Sequence, residues 1–258
     1  MVNSLIYYLL IQFLLYFTPN PGVVKSNPKL MVDSLAQHIY LSFDDGPLPG
    51  TSNCIDICER ENVAATFFEV GLHQSRSTYG QKLYNRIIAN KNLFALSNHS
   101  YSHAFGKYLD FYHQPDSALF DFIKSKGILK PDNNIARLPG NNAWNTQDAK
   151  RASGLVRPLV HKLDSAGFNI IGWDLQWQFN RHGKPVQDPE VIALLVDSLF
   201  AKQQTKTKNH LVILMHDHMF RTPEDSLKLE KMISLLKMRP HYRFDKLTSY
   251  PGLKKGGY

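Results

Sequence analysis

The sequence predicts an α/β fold in which strand–helix units form one barrel-like domain. From residue 38 onward, short apolar runs alternate with longer helix-like segments, which is the pattern of a largely parallel sheet. Polar and ionisable residues recur where successive apolar runs end, which favours a barrel over an open sheet because a barrel gathers those ends on one face. No flexible linker interrupts residues 33–247, so we predict one domain over residues 33–250 and a short polar tail over residues 251–258.

Six strands are predicted in chain order, and helices with recognisable starts lie between them. The strands cover residues 38–43, 64–70, 93–97, 135–138, 169–174 and 211–215. Asp188-Pro189-Glu190 supplies an N-cap residue, a first-turn proline and a first-turn acid before one helix, and Thr222-Pro223-Glu224 does the same before another. Cys54 and Cys58 lie four apart on a predicted helix and are poorly aimed for a disulfide, so we expect two small core residues.

The composition fits a globular domain and carries no nucleic-acid signature. The 258 residues are 43% hydrophobic and 20% charged, which is enough apolar material for a sizeable core. The formal net charge is +8, but no DNA- or RNA-reading motif accompanies the basic residues. We therefore expect no nucleic-acid partner, and solubility is a simpler role for the charge than binding of an anionic polymer.

The first 30 residues differ from the rest of the chain. Residues 5–17 are apolar or aromatic except for Gln12, and a helix-stopping sequence with two prolines follows. This stretch is too short to span a bilayer comfortably but matches the core of a secretory signal, although no basic residue precedes it. We predict a signal peptide or an N-terminal membrane anchor with linker over residues 1–30, and hence an exported protein that is periplasmic, secreted or anchored facing outward. A hydrophobic helix docked on the domain is the alternative.

Two motifs at early strand ends together suggest a metal site. The first strand ends in Asp44-Asp45-Gly46-Pro47, which alone is equally typical of a plain tight turn. His99 and His103 follow the third strand, four residues apart, and would face the same way in a helical turn or tight loop. Two histidines and one carboxylate suit zinc or a similar divalent ion, with a position left for water. Ser100 replaces the glutamate of the metalloprotease helix, so the general base must lie elsewhere, and the second aspartate is a natural candidate.

Three further motifs fall at later strand ends. They are Arg137-Leu138-Pro139-Gly140, Trp173-Asp174-Leu175-Gln176-Trp177 and Leu214-Met215-His216-Asp217-His218. Each alone has a structural explanation: a surface arginine before a turn, core tryptophans and a strand-end histidine. Their repetition at successive strand ends indicates one assembled site.

In this order the motifs resemble those of the polysaccharide deacetylases that carry a NodB homology domain, carbohydrate esterase family 4. The similarity covers residues 37–247, with Ser42 where the family's Thr-Phe-Asp-Asp-Gly-Pro motif has threonine. The segments that match family motifs are residues 41–47, 64–71, 99–103 and 214–216. The resemblance implies a single distorted (β/α) barrel of the NodB type.

The resemblance also implies a metal-dependent hydrolase acting as a monomer. It would remove N-acetyl or O-acetyl groups from a polysaccharide such as peptidoglycan, a chitin-like oligomer or an exopolysaccharide, and would meet a membrane only through its N-terminal segment. By position, Asp44 would be the catalytic base and His216 the general acid. Asp45, His99 and His103 would bind the metal, which we expect to be zinc, with cobalt or nickel as alternatives.

Other matched residues would support this chemistry. Arg137 would hold the catalytic base in place. A backbone N–H near Gly140 would help to stabilise the oxyanion, as in other acyl-transfer enzymes. Leu214 and Trp177 would line the pocket for the acetyl methyl group.

Two motifs depart from the family's pattern. Gly140 stands where the third motif usually has an aromatic residue, and Asn141 stands where it has glycine. The fourth motif can be aligned in two ways, so the residue that orients the general acid is Asp174 by preference, with Gln176 as the alternative.

Two other functions stay open at this point. A non-catalytic carbohydrate-binding or wall-associated relative would keep the fold, although a binder has no need of both an acid and a base. A two-histidine iron oxygenase would need a His-x-Asp order that the sequence lacks. Aromatic residues between Phe105 and Tyr112 could stack on sugar rings, but their helix-like spacing is more typical of a core.

Overall fold

Ten strands and eight helices are found in the computed structural model, which describes residues 36–254. The strands are β1 (Gln37–Asp44), β2 (Ala65–Glu69), β3 (Phe94–Asn98), β4 (Ile135–Ala136), β5 (Trp144–Asn145), β6 (Lys150–Arg151), β7 (Asn169–Ile170), β8 (Leu175–Gln176), β9 (His210–His216) and β10 (Tyr242–Phe244). The helices are α1 (Thr51–Glu61), α2 (Gly71–Arg76), α3 (Thr78–Ala89), α4 (Tyr108–His113), α5 (Pro115–Leu129), α6 (Arg157–Ser165), α7 (Pro189–Ala201) and α8 (Pro223–Lys237). The predicted export segment, residues 1–30, lies outside the described residues. None of the described helices is long and apolar enough to cross a membrane.

The strands form one mixed sheet in the order β6-β5-β7-β4-β3-β2-β1-β9-β8, and β10 pairs with the start of β1. The strands from β7 to β8 along this path run parallel to their neighbours, whereas β5 runs antiparallel to both β6 and β7. The predicted fold class, α/β with a single distorted barrel, is confirmed. Because the central strands are parallel, their carboxyl ends meet at one edge of the sheet.

Side chains of β1 and β9 alternate between two environments, since successive residues of a strand point to opposite faces. Odd-numbered residues such as Leu41 pack with α1, α7 and α8 in the main hydrophobic core. Even-numbered residues lie on the other face, where the strand register pairs Ser42 with Leu214 and Asp44 with His216. This alternation separates the main core from the face of both strands that carries Asp44 and His216.

The predicted helix starts are found in the structure. α7 begins at Pro189, directly after Asp188. α8 follows Thr222, whose hydroxyl accepts a hydrogen bond from the backbone N–H of Asp225 at 3.2 Å. Cys54 and Cys58 lie on α1, and both thiols are free and buried in the main core, as the sequence predicts.

The domain extends beyond the boundary predicted at residue 250. The backbone N–H of Gln147 donates to the carbonyl of Gly252 at 2.7 Å. The Asn169 side chain accepts from the backbone N–H of Lys254 at 2.8 Å and donates to its carbonyl at 3.1 Å, and the Lys254 ammonium pairs with Asp164. Residues 251–254 are therefore part of the domain, because distant side chains bind a segment whose own composition resembles a solvated tail.

Candidate active site

The carboxyl ends of four strands bring together most of the residues singled out in the sequence. Asp44 ends β1 and His216 ends β9, at paired positions of adjacent strands. His99 directly follows β3, and Arg137 directly follows β4. Residues scattered over more than 170 positions of the chain thus meet at one edge of the sheet.

The two adjacent aspartates have different partners. Asp44 is buried, and its Oδ1 accepts a hydrogen bond from Arg137 Nη1 at 2.7 Å. Asp45 has a φ of 77°, so the extended strand conformation ends there. Its Oδ1 lies 3.0 Å from His103 Nε2 and 3.4 Å from His99 Nε2. One dipeptide therefore supplies a carboxylate to an arginine and another to a pair of histidines.

Arg137 is completely buried, and its guanidinium group bonds four groups on two other segments of the chain. Besides Asp44, Nη1 donates to Ser42 Oγ at 2.8 Å. Nε donates to the carbonyl of Ile171 at 3.1 Å, and Nη2 donates to the carbonyl of Gly172 at 2.9 Å. A buried guanidinium with all three nitrogens engaged is rigid, and it fixes the orientation of the Asp44 carboxylate.

Asp45, His99 and His103 have the donor chemistry of a divalent-metal site. Each offers one ligand atom, and these three atoms lie within 4.8 Å of one another. Asp45 Oδ1 is buried and has no hydrogen-bond partner in the described part of the chain. His99 Nδ1 lies 3.0 Å from the carbonyl of Arg137, which places the ring proton on Nδ1 and leaves the Nε2 lone pair facing Asp45. One carboxylate oxygen and two imidazole nitrogens are ligands that zinc and similar ions accept, so these residues fit a metal.

The electrostatics of this set favour a charged carboxylate at Asp45. Burial alone would raise the pKa of Asp45, but the adjacent imidazoles of His103 and His99 hold it well below its usual value. Burial alone would lower the pKa of His99, but the negative charges of Asp44 and Asp45 raise it. An ion binds through unprotonated ring nitrogens, so a proton held by His99 at Nε2 would have to leave before the ion binds.

The loop that carries His103 has a strained backbone. Ser100, His103, Ala104 and Phe105 all have positive φ angles, of 70°, 51°, 55° and 49°. A non-glycine residue in this left-handed region costs roughly 1–2 kcal/mol because its Cβ crowds a carbonyl oxygen. The fold therefore has to impose this conformation on the loop.

Polar side chains brace the same loop. The Asp121 carboxylate accepts hydrogen bonds from the backbone N–H groups of Tyr101 and Ser102, at 2.7 and 3.0 Å. The side-chain oxygen of Asn98 accepts from the N–H of Ser100 at 2.9 Å. These contacts, made from α5 and from the end of β3, hold the loop in its unfavourable conformation.

His216 lies at the end of β9 with its Nδ1 buried and without a hydrogen-bond partner among residues 36–254. Burial lowers the pKa of His216 below its usual value, although the nearby charges of Asp45 and Asp44 act in the opposite direction. Leu214 lies two residues earlier on the same face of the strand and is buried beneath it. This places Leu214 where the sequence predicts a pocket residue, beside the predicted general acid.

Asp174 does not contact His216, contrary to the prediction that it orients this residue. Its two carboxylate oxygens accept hydrogen bonds from the backbone N–H groups of Lys206, at 2.6 Å, and Val212, at 2.8 Å. Val212 lies four residues before His216, or about 13 Å along the strand. Gln176, the alternative, is paired with Leu214 and forms no hydrogen bond with His216 within the described residues. These two hydrogen bonds tie the loop that contains Lys206 to β9. Burial raises the pKa of Asp174 to about 6.

Trp177 does not line a pocket beside Leu214, contrary to the prediction. It is completely buried, its Nε1 donates to the carbonyl of Gln187 at 3.0 Å, and its ring packs edge-on against Phe220. Because Gln176 is paired with Leu214, the next residue of the strand faces the opposite side. Trp177 therefore belongs to the main core beneath the helices.

Gly140 lies at the edge of the site beside Tyr108, one of the aromatic residues between Phe105 and Tyr112 for which the sequence offers sugar stacking or a core position. Its φ is 64°, and a Cβ added there would lie 3.3 Å from the ring of Tyr108. The Tyr108 ring packs edge-on against His103, with 5.7 Å between ring centroids. Within the aromatic stretch of this region, Tyr112 is buried in a core whereas Phe105 is 68% exposed, so only some of its members follow the core prediction.

Two buried carboxyl groups beneath the aspartate pair were also not predicted. Glu69 is completely buried, and neither of its oxygens has a hydrogen-bond partner in the described chain. Asp217 accepts a short hydrogen bond from the Thr51 hydroxyl. A Cβ at Gly46 would overlap Asp217 Oδ2 and come within 2.6 Å of Glu69 Oε1, so only glycine fits between them. Burial raises the pKa of both carboxyls, and negative charges add to this: mainly that of Asp217 for Glu69, and those of Asp45 and Asp44 for Asp217.

The amino-acid sequence is similar to those of known polysaccharide deacetylases. A family model described as polysaccharide deacetylase matches residues 32–125. YheN of Bacillus subtilis, which is named as a polysaccharide deacetylase, is 24% identical over 183 residues that cover 69% of this chain and 57% of the relative. The peptidoglycan-N-acetylglucosamine deacetylase of Bacillus cereus is 24% identical over 205 residues that cover 77% of this chain and 66% of the relative. The chain therefore spans less than two thirds of the length of each of these relatives.

A solved structure shares the fold. The catalytic domain of the peptidoglycan N-acetylglucosamine deacetylase from Eubacterium rectale superimposes with a TM-score of 0.60 and 24% sequence identity. The match covers 86% of this chain and 94% of that domain. At this identity the likeness establishes a common architecture.

Proposed function

Because this chain belongs to the polysaccharide deacetylase family, we propose that it is a metal-dependent hydrolase that removes acetyl groups from a polysaccharide. The observation that carries the proposal is the division between the two adjacent aspartates. Asp44 is bound by Arg137 through Oδ1, whereas Asp45 is the carboxylate that can share an ion with both His99 and His103. A protein that only binds sugars has no use for this separation.

Three residues would hold the ion. Asp45, His99 and His103 present one oxygen and two nitrogens, which favours zinc, while cobalt and nickel accept the same donors. When bound, such an ion supplies Lewis acidity toward the acetyl carbonyl and makes water easier to deprotonate.

Asp44 is the base in this proposal. Its Oδ1 is bound to Arg137, so the proton acceptor is Oδ2, which faces the site 3.6 Å from His99 Nε2. As the water oxygen bonds to the carbonyl carbon, Asp44 takes its proton and the carbonyl oxygen becomes an oxyanion. In this proposal a backbone N–H near Gly140 donates to that oxyanion.

His216 is the acid. Its proton passes to the departing nitrogen as the carbon–nitrogen bond breaks, which leaves acetate and a free amino group on the sugar; with an ester, the proton passes to oxygen. A positioned acid of this kind contributes about 10²–10⁴-fold to the rate. Amide substrates are favoured over esters because the Bacillus cereus relative is named for N-acetylglucosamine.

Export is part of the proposal. The apolar residues 5–17 match the core of a secretory signal, and acetylated polymers such as peptidoglycan, chitin-like chains and exopolysaccharides lie outside the cytoplasm. Detection of the protein outside the cytoplasm would support this localisation. A variant without residues 1–30 should then stay in the cytoplasm.

The direct test is acetate release from a panel of acetylated glycans, after chelation and again after zinc is restored. We expect the wild-type protein to lose activity on chelation and regain it with zinc, and the Asp44→Asn variant to stay inactive while still binding zinc. A conservative control is Asp132→Asn, which removes an exposed carboxylate far from the site. Zinc binding with no acetate from any glycan, and no difference between the variants, would instead favour a non-catalytic carbohydrate-binding protein.

A further inference from the structure

Residues 178–186, which follow β8, form a short hairpin. Phe179 and Pro185 make an antiparallel bridge, and the backbone N–H of Asn180 donates to the carbonyl of Lys184 at 3.0 Å. The Asn180 side-chain oxygen accepts hydrogen bonds from two N–H groups of the turn, at 2.9 and 3.2 Å. The hairpin is therefore held by its own hydrogen bonds.

The tip of the hairpin is docked on the segment that follows β9. Arg221 Nη2 donates to the carbonyl of His182 at 2.8 Å. Gly183 has a φ of 72°, and a Cβ there would lie 2.9 Å from Cδ2 of His218. Only glycine allows the tip to approach His218 this closely, so the hairpin has a fixed position.

Phe179 places the hairpin next to the proposed acid. Its ring centroid lies 4.9 Å from that of His216 and 4.6 Å from that of His218, edge-on to both. The Phe179 side chain is nevertheless 39% exposed. A sugar bound against this ring would therefore be a direct neighbour of the sugar whose acetyl group is removed.

The hairpin surroundings carry positive charge without neutralising partners. Arg181, Lys184 and Arg221 are exposed, and no carboxylate in the described part of the chain lies within 4.0 Å of their charged nitrogens. Asp188 and Glu224 flank these segments in the sequence, but neither pairs with them. Several unpaired cations on one rigid surface attract anions.

We propose that Arg181, Lys184 and Arg221, grouped around Phe179, form an anion-binding subsite that selects an acidic polysaccharide. The subsite would bind a carboxylate or phosphate on the sugar next to the acetylated one, because guanidinium and ammonium groups donate charge-assisted hydrogen bonds to both. Phe179 supplies an apolar surface for the sugar ring. The proposal rests on the proposed deacetylase function and adds the substrate class.

The position of the hairpin gives the subsite a direction. Arg181 and Lys184 belong to the hairpin, Arg221 is bonded to its tip, and the hairpin contacts His216 through Phe179. The anionic group would therefore sit on the His216 side of the reacting acetyl group.

The test compares two forms of one substrate. Oligosaccharides of alternating N-acetylglucosamine and N-acetylmuramic acid carry free carboxylates, and reduction of those carboxyls to alcohols gives a matched neutral form. We expect kcat/KM of the wild-type protein to be about tenfold higher for the carboxylate form, which corresponds to roughly 1.4 kcal/mol. The preference should shrink as salt is added, since exposed charges are screened.

The variant Arg181→Gln/Lys184→Gln should lose this preference while its acetate release from the neutral form changes little. Neither side chain contacts the proposed metal ligands or Asp44. The matched control Lys82→Gln/Lys202→Gln removes the same charge from exposed lysines on α3 and after α7, and should keep the preference. The subsite would be overturned if the wild-type protein used both substrate forms equally, or if the control variant lost the preference as fully as the hairpin variant. Either result would leave the deacetylase proposal intact.

A binding measurement separates this inference from catalysis. In native gels containing polygalacturonate or poly(glycerol phosphate), the wild-type protein should be retarded and the hairpin variant should migrate freely, even if no acetate is released from any glycan. Retardation by polygalacturonate alone would assign the anion as carboxylate, and by poly(glycerol phosphate) alone as phosphate. Equal migration of wild type and variant in both gels would overturn the proposal.

Discussion

Both ends of the central strands carry a cluster of histidines and carboxylates, but the two clusters differ in how their polar atoms are used. At the amino end, His38 Nδ1 lies 2.6 Å from Asp245 Oδ2, and the hydroxyl of Tyr40 lies 2.8 Å from His210 Nδ1. The rings of His38 and His210 stack with 4.7 Å between centroids. These groups satisfy one another, so this cluster closes the sheet end.

At the carboxyl end, buried polar atoms are left without partners. Seven buried side-chain atoms in residues 36–254 lack a hydrogen bond, and five of them belong to Asp45, Glu69, His216 and Asp217. Buried polar groups are normally paired, and leaving one unpaired costs about 1–3 kcal/mol. Both clusters contain histidines and carboxylates. Buried polar atoms without hydrogen-bond partners therefore distinguish a site that can bind an external ligand from a purely structural cluster.

The described residues also form a cleft at the other end of the strands, away from the candidate active site. A cleft of about 990 Å³ opens near the starts of β4 and β7, lined by residues that include Asn134, Asn169 and Lys254. Asn169 and Lys254 bind each other, and no predicted catalytic residue borders this cleft. The chemistry of the lining residues is therefore the better guide.

The largest difference between the two ends should appear on removal of one carboxylate from each. Asp45→Asn removes a proposed metal ligand. A bound metal stabilises the transition state by several kcal/mol, so its loss should lower acetate release on the order of 10³-fold or more. Asp245→Asn should leave acetate release essentially unchanged. The measurements are kcat/KM and bound zinc per chain by mass spectrometry, and full zinc retention by Asp45→Asn would contradict the assignment.

A smaller difference should separate the histidines that end and begin β9. His216→Gln should lower kcat by about 10²–10⁴-fold, whereas His210→Gln should not. Burial, followed by the charge of His38, lowers the pKa of His210 to about 4, so this ring is neutral near pH 7 and its replacement removes no charge.

The pH profile checks the role of His216. Burial lowers its pKa, so the protonated acid is present at low pH and is lost as the pH rises through a value below the usual one near 6.5. The wild-type kcat should fall on the alkaline side for this reason. An identical alkaline decline in His216→Gln would show that another group provides the proton.

Glu69 should make the stability of the metal-free protein depend on pH. Because its folded pKa is raised above its usual value near 4.5, its contribution to stability is complete below that value and is lost as the pH rises toward the folded pKa. Glu69→Gln should therefore raise the free energy of unfolding, measured by urea denaturation, at pH 8 and have less effect at pH 4. The exposed Glu190→Gln variant is the control, and parallel pH curves for wild type and Glu69→Gln would rule out this contribution.

The smallest effect is expected at the amino end. Asp245→Asn weakens a partly exposed hydrogen bond to His38 and should lower the free energy of unfolding by about 1 kcal/mol or less. Thermal unfolding measures this change. A loss of several kcal/mol would mean that this cluster also holds the strands together.

The sequence predicted the parts of the site that depend on local pattern. Aspartate and histidine pairs at strand ends are visible as motifs, and parallel strands necessarily bring such ends together. Asp44, Asp45, His99, His103, Arg137 and His216 accordingly meet at one edge of the sheet. Their catalytic and ligand roles stay predictions until they are tested.

The rest depends on contacts that local pattern does not encode. Trp177 and Asp174 lie in the right motif, but the register of β8 against β9 sends Trp177 into the core and keeps Asp174 far from His216. Glu69 occupies a position that reads as part of an apolar strand, and only the approach of Asp217 shows its unusual environment. Tyr108 reaches the site through the turn after the histidine loop, a path that spacing could not predict.

The left-handed run around His103 has a consequence for how the sequence can change. Glycine at Ala104 would remove roughly 1–2 kcal/mol of steric cost but would add about 0.4–1 kcal/mol through the greater freedom of the unfolded chain. The two contributions cancel only in part, so glycine should raise the free energy of unfolding by about 1 kcal/mol. Alanine in turn restricts the backbone next to His103, so selection for alanine at this position would favour a precisely held imidazole at some cost in fold stability.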